Sequence, residues 1–181
     1  EKTLPLFKTI DFATRTKIAK DCYLTFHPSG HILGASFILI EMAGKKFIFT
    51  NDLGRNNHPL LVGPELPPTD GIDVVVTEST YGDRVHEDAA DIFADQLNAA
   101  IKRGGRILIP AFAVDRTEVI LMKIRELIQE NKIPQTPIYV DSPMALKALD
   151  YYRQAINESS PEIRPEISTT WAGKDPFDPG M

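Results

Sequence analysis

Apolar and polar positions follow two different rhythms along the chain. Between Cys22 and Thr50, short apolar runs are separated by turn residues, and residues 23–26, 35–41 and 46–50 read as β-strands. Ala43-Gly44 between the last two supplies a tight turn, which predicts an antiparallel hairpin. Residues 56–70, rich in proline, read as a surface loop, and residues 73–77 form a continuous apolar run of the kind found in buried strands. Before Lys20 the patches around Leu6, Ile10 and Ile18 fit either strands or a loop.

Beyond Arg84 the rhythm changes. Ala89, Phe93, Leu97 and Ile101 recur at helical spacing, and Gly104-Gly105 follows as a helix stop. Residues 106–110 read as a strand. Asp115 and Glu118 have capping-box spacing and open a helix with the apolar stripe Ile120, Leu121, Ile124, Leu127 and Ile128. Residues 138–141 read as a further strand, and Ser142-Pro143 as the cap and first turn of a helix running to about Asn157. Strands alternating with helices predict a parallel sheet with right-handed crossovers. The tail from Ser159 reads as loop. The change of rhythm marks a boundary, with a β-rich piece over residues 1–84 and an α/β piece over residues 85–181.

Composition narrows the class. With 181 residues, 43% hydrophobic and 25% charged, the chain has globular values. Its net charge of −5 disfavours a generic basic nucleic-acid binder, although a bound divalent metal supplies positive charge that composition does not count. Cys22 is the single cysteine, which rules out an intrachain disulfide and a cysteine-based zinc cluster and fits a reducing compartment. No apolar run reaches membrane-spanning length and the first residues lack a signal-peptide core, so no membrane association is expected and the cytoplasm is the default location.

Three side chains stand where a strand meets a loop: His31 in GHILGAS, Asp52 in TNDLGR and Glu78 in TESTYGDR. Three such groups at three strand ends suggest one site. His31 lies among small residues that leave room for an ion, and it reads equally as a metal ligand or as a loop-capping imidazole. Asp52 reads as a ligand or an Asx-turn, and Glu78 as a site carboxylate or a turn carboxylate. His27 reads as structural, His58 and His86 as solvent-exposed, and Cys22 as packed. Arg103, Arg106 and Arg116 are candidates for phosphate contact or ordinary solvated charges, with Arg116 retained as a weak substrate contact.

The strings FHPSGHILGAS, FTNDLGR, VVTESTYGDR, GGRILIPAFAVDRTEVIL and IYVDSPMA, in this order, resemble the β-CASP branch of the metallo-β-lactamase superfamily, from about Tyr23 to the end. The resemblance is strongest to RNA-processing nucleases akin to the endonuclease subunit of the cleavage and polyadenylation factor. It implies an α/β fold: the second half of a metallo-β-lactamase αββα sandwich over residues 1–84, followed by a parallel-sheet β-CASP segment over residues 85–181. It puts a zinc-ligand role on His31 and a metal-bridging role on Asp52. Glu78 falls on the carboxylate that orients a proton-donating histidine. Asn51 stands where the family usually has Gly, and Asn accepts a left-handed backbone better than most residues.

The family's HxHxDH signature and later β-CASP histidines do not occur in this sequence, so the chain resembles an internal segment, expected to be inactive alone. The implied function of an intact parent is hydrolysis of RNA phosphodiester bonds by water activated between two zinc ions. Single-stranded RNA is the implied partner, and a homodimer is left open. The competing readings are a non-catalytic scaffold of the same family and a DNA-acting relative. The reading that the second half alone binds a nucleotide has no Gly-rich phosphate fingerprint to support it.

Overall fold

In the computed structural model the chain divides into two compact units, Glu1–Thr80 and Tyr81–Met181. The structure describes residues 2–84, 90–171 and 173–178. The first unit is a five-stranded sheet with its strands in chain order: β1 (Thr16–Ala19), β2 (Cys22–Pro28), β3 (Ser36–Met42), β4 (Lys45–Phe49) and β5 (Val74–Val76). The first four form an antiparallel meander, and β5 joins β4 in parallel. The β3–β4 hairpin turns at Ala43 and Gly44, whose φ values of 51° and 76° are both positive, as a two-residue turn matched to strand twist requires.

Register puts alternate residues on one face. Thr25 opposes Leu39, His27 opposes Phe37, and Leu39 opposes Ile48. Phe37, Leu39 and Ile48 form the buried cluster of this face, with Ile72 packed against them.

Two expectations fail in this unit. The apolar strand β5 is exposed along its whole length rather than buried. It is an edge strand paired only with β4, and among the described residues the first unit contains no α-helix to cover it. The proline-rich stretch is not a plain surface loop. Leu60 and Leu61 are 0% and 1% exposed, so this segment folds inward and contributes to the core.

The second unit carries α1 (Ala90–Lys102), α2 (Arg116–Gln129), α3 (Pro143–Asn157) and α4 (Pro165–Thr170). The expected stripe holds: Leu97 of α1 and Ile124 and Leu127 of α2 share a core with Ile133, flanked by Phe93, Ile120, Ile128 and Ile138. Ser142 caps α3 as expected, its hydroxyl accepting the Ala145 N–H at 3.2 Å. Ala89 and His86 lie outside the described residues. The parallel sheet is not formed here: residues 106–110 and 138–141 are not strands, and Leu108 and Tyr139 are among the most exposed apolar residues. A strand exists only when another strand completes its hydrogen bonds, and among the described residues of this unit none does. The tail is more ordered than a loop, because it forms α4 and buries Ile163, Trp171 and Phe177, the last meeting Tyr152 edge to face.

Among the described residues no helix is long and apolar enough to cross a membrane.

Candidate functional site

Strands β2, β4 and β5 run in the same direction, because two antiparallel steps separate β2 from β4 and β5 is parallel to β4. The segments that follow them therefore leave the same edge of the sheet, and they carry His31, Asp52 and Glu78 respectively. Sheet topology alone thus brings to one edge three segments whose residues are separated by up to 47 positions in sequence.

Two glycines bring the first two segments into contact. The Gly54 N–H donates to the Ser29 carbonyl at 2.8 Å, and a Cβ on Gly54 would lie 1.9 Å from the Gly30 oxygen and 2.6 Å from the His31 nitrogen. Gly30 has φ +64°, and a Cβ there would lie 2.6 Å from the Val62 oxygen, where the proline-rich segment packs over it. Glycine at both positions lets backbone meet backbone. The result is that His31 Nε2 and Asp52 Oδ2 stand 3.8 Å apart, with side chains 46% and 75% exposed, so both donors remain reachable from solvent.

Glu78 is tied to the same loop. Its Oε1 accepts the Leu53 N–H at 2.9 Å, one residue beyond Asp52, and its Oε2 lies 3.4 Å from the Thr80 nitrogen. The Thr80 side chain first, then the Leu53 N–H, hold the Glu78 carboxyl below the ordinary carboxylate range, with the nearby His31 adding to the effect. Glu78 is consequently a carboxylate acceptor at neutral pH.

An imidazole nitrogen and a carboxylate oxygen are donors suited to zinc. Two donors each bound about 2 Å from one ion lie no more than about 4 Å apart, so the 3.8 Å pair fits a shared ion. Among the described residues there is no group of three or more His, Cys, Asp or Glu that could hold a metal ion.

The other sequence candidates separate clearly. His27 stacks on Phe37 at 4.8 Å with its Nδ1 3.2 Å from Glu65, a structural role as expected, and Cys22 is packed. His58 corrects the expectation of exposure: it is 5% exposed, and its Nδ1 accepts the N–H groups of Leu60 and Leu61 at 3.1 and 2.9 Å, which turns the proline-rich segment inward. Arg116 is exposed at the start of α2 in the second unit, as are Arg103 and Arg106 in the same unit.

The capping box is also corrected. Asp115 holds the N-cap position of α2 at φ 70°, ψ −56°, but its side chain makes no capping bond; the Arg116 N–H donates across it to the Val114 carbonyl, which makes Asp115 the centre of a tight three-residue turn. Its carboxylate accepts the Tyr152 hydroxyl at 3.0 Å instead. Glu118 is fully buried, and neither carboxylate oxygen has a hydrogen-bond partner among the described residues. Burial pushes its pKa up to about 7.

Two residues that bear on the site were not singled out as such by the sequence. Thr50, buried at the end of β4, accepts the Glu78 N–H on its hydroxyl at 3.2 Å. Asn51 adopts φ 49° and donates its side-chain amide to the Ser36 carbonyl at 3.0 Å. The Asn at a family Gly position was a signal that backbone geometry there is unusual; nothing in the sequence signalled Thr50.

Residues 117–179 match the Beta-Casp domain. The chain is 35% identical over 159 residues to a ribonuclease of Thermus thermophilus, covering 86% of this chain and 35% of that protein. It is 35% identical over 161 residues to an endoribonuclease of Mycosarcoma maydis, covering 87% of this chain and 18% of the relative. It is 37% identical over 144 residues to cleavage and polyadenylation specificity factor 73 of Drosophila melanogaster, covering 77% of this chain and 21% of the relative. The chain thus spans between 18% and 35% of the length of these relatives. The domain match and the relatives together show that the chain belongs to the β-CASP branch of the metallo-β-lactamase superfamily.

Proposed function

We propose that this chain is a segment of a longer hydrolase that cleaves phosphodiester bonds in single-stranded RNA, with His31 and Asp52 as two of the ligands of a zinc site. The observation that carries the proposal is the convergence of His31 Nε2 and Asp52 Oδ2 to 3.8 Å across a glycine-to-glycine backbone contact, on the edge of the sheet from which Glu78 also emerges. Relatives named ribonuclease and endoribonuclease support RNA as the substrate.

When bound, zinc supplies activation of water near neutral pH and neutralisation of charge at a phosphodiester. His31 would offer a ring-nitrogen lone pair and Asp52 a carboxylate oxygen to the metal, the ligand roles that the family resemblance implies. Glu78, held ionised by Thr80 and Leu53, is the acceptor that fixes the tautomer and orientation of a proton-donating histidine from another part of the parent. Sandwich architecture in the parent would supply the cover that β5 lacks here.

The test is cleavage of single-stranded RNA and DNA by the parent protein and by Asp52→Ala. Loss of RNA cleavage with unchanged folding supports the proposal, because an exposed carboxylate contributes little to the core. Near-normal RNA cleavage by the variant removes Asp52 from the reaction, cleavage of DNA alone makes the parent a deoxyribonuclease, and no cleavage by the unmutated parent makes it a scaffold.

A further inference from the structure

The parallel ladder between β4 and β5 ends at Phe49 and Val76, yet the two segments stay joined beyond it. The Thr50 N–H continues to the Val76 carbonyl at 3.0 Å, and from that point side chains take over. The Thr50 hydroxyl accepts the Glu78 N–H at 3.2 Å, donates to the Asn51 carbonyl at 3.0 Å, and lies 3.3 Å from the Thr77 hydroxyl. Thr50 is 8% exposed, so water does not compete freely for these bonds.

The next residue reaches the opposite way. Asn51 turns the chain through a left-handed conformation, and its amide donates to the carbonyl of Ser36, the first residue of β3 and the end of the His31 loop. Asp52 follows immediately. Its backbone is therefore suspended between two neighbours, held to the Glu78 segment by Thr50 and to the His31 segment by Asn51.

We propose that Thr50 and Asn51 form a positioning bracket that sets Asp52 between His31 and Glu78. The two residues act by fixing the loop on which Asp52 stands. The bracket deepens the nuclease function proposed above and rests on it for its catalytic consequence, while its structural content is independent of that function. Asn51 contributes something Gly would not: Gly reaches φ 49° readily but carries no amide to bond Ser36.

The experiment has two arms. In this 181-residue chain, amide hydrogen exchange is followed for Leu53 and Glu78 in the unmutated protein, Thr50→Val and Asn51→Gly. Valine keeps the β-branched shape without the hydroxyl, and Gly keeps the left-handed backbone without the amide. Exchange at least about tenfold faster at Glu78 in Thr50→Val, and at Leu53 in Asn51→Gly, with Phe37 and Ile48 unchanged, is the expected result. Unaltered exchange at both sites overturns the bracket.

In the parent, Thr50→Val is expected to lower kcat roughly ten- to a hundredfold with KM little changed, and Thr50→Ser to restore most of the loss, since misplacement of a reacting group acts on the chemical step. Wild-type kcat in Thr50→Val, or a Thr50→Ser variant as impaired as Thr50→Val, overturns the positioning role. A parent that cleaves no RNA defeats the proposed function, and the exchange arm still decides the bracket.

Discussion

Gly54→Ala is the perturbation that acts on the site through backbone alone. The added methyl group would lie 1.9 Å from the Gly30 oxygen, 2.1 Å from the Gly30 carbonyl carbon and 2.6 Å from the His31 nitrogen. All three are main-chain atoms, so no rotamer change relieves the overlap, and the His31 loop must move away from the Asp52 loop. Overpacking of this kind costs about 1–3 kcal/mol. Separating the loops also stretches the 2.8 Å bond from the Gly54 N–H to the Ser29 carbonyl, adding roughly 0.5–1.5 kcal/mol. The expected sum is about 2–4 kcal/mol, read by urea denaturation of the chain.

Gly34→Ala is the control within the same loop. It meets nothing within 4 Å, and its φ of +84° confines the penalty to backbone strain of about 1–2 kcal/mol. In proton–nitrogen spectra the His31 ring signals should shift in Gly54→Ala and stay in place in Gly34→Ala. A Gly54→Ala variant no less stable than Gly34→Ala, with unshifted His31 signals, would refute the claim that this backbone contact sets the site.

Glu118→Gln should change the pH dependence of stability. A buried carboxyl with its pKa raised from 4.5 to about 7 favours the folded state while protonated, and that contribution is lost as pH rises from about 4.5 through 7. The unmutated chain should therefore lose roughly 2–3 kcal/mol relative to Glu118→Gln between pH 4 and pH 8, and denaturation curves parallel at both pH values would show that Glu118 does not ionise in the fold. His58→Ala leaves the Leu60 and Leu61 N–H groups without their acceptor in a buried segment, at a cost of about 1–3 kcal/mol measurable by thermal unfolding. A change below about 0.5 kcal/mol would mean that water replaces the imidazole.

The sequence carried the local part of the fold. The β3–β4 hairpin follows from strand-length apolar runs flanking Ala43-Gly44, and α2 and α3 follow from apolar spacing and, for α3, from Ser142-Pro143. What it did not carry is long-range. Residues 106–110 and 138–141 have the composition of strands, but composition does not supply the partner that a strand needs. Asp115 and Glu118 satisfy the spacing of a capping box, yet the Asp115 carboxylate is taken by Tyr152, 37 residues away. His58 looked exposed among prolines, and only the fold shows it bonding two backbone N–H groups of a buried turn.

For the site, the residue types were readable because Gly30 precedes His31 and Gly54 lies two residues after Asp52, and only Gly permits the Gly30–Gly54 approach. The common edge from which the three segments leave follows from strand directions. The Thr50 hydroxyl link across β4 and β5 has no counterpart in any local pattern.

Metal dependence of RNA cleavage by the parent protein is the most direct measurement. Purified parent is stripped with a chelator, assayed on single-stranded RNA, reloaded with zinc and assayed again, beside His31→Ala with its zinc content determined by elemental mass spectrometry. Cleavage that disappears on stripping and returns with zinc, together with a lower zinc content in His31→Ala, is the expected result. Cleavage that persists at full rate in the chelator, or His31→Ala holding as much zinc as the unmutated protein, would contradict the assignment of His31 and Asp52 to a catalytic zinc site.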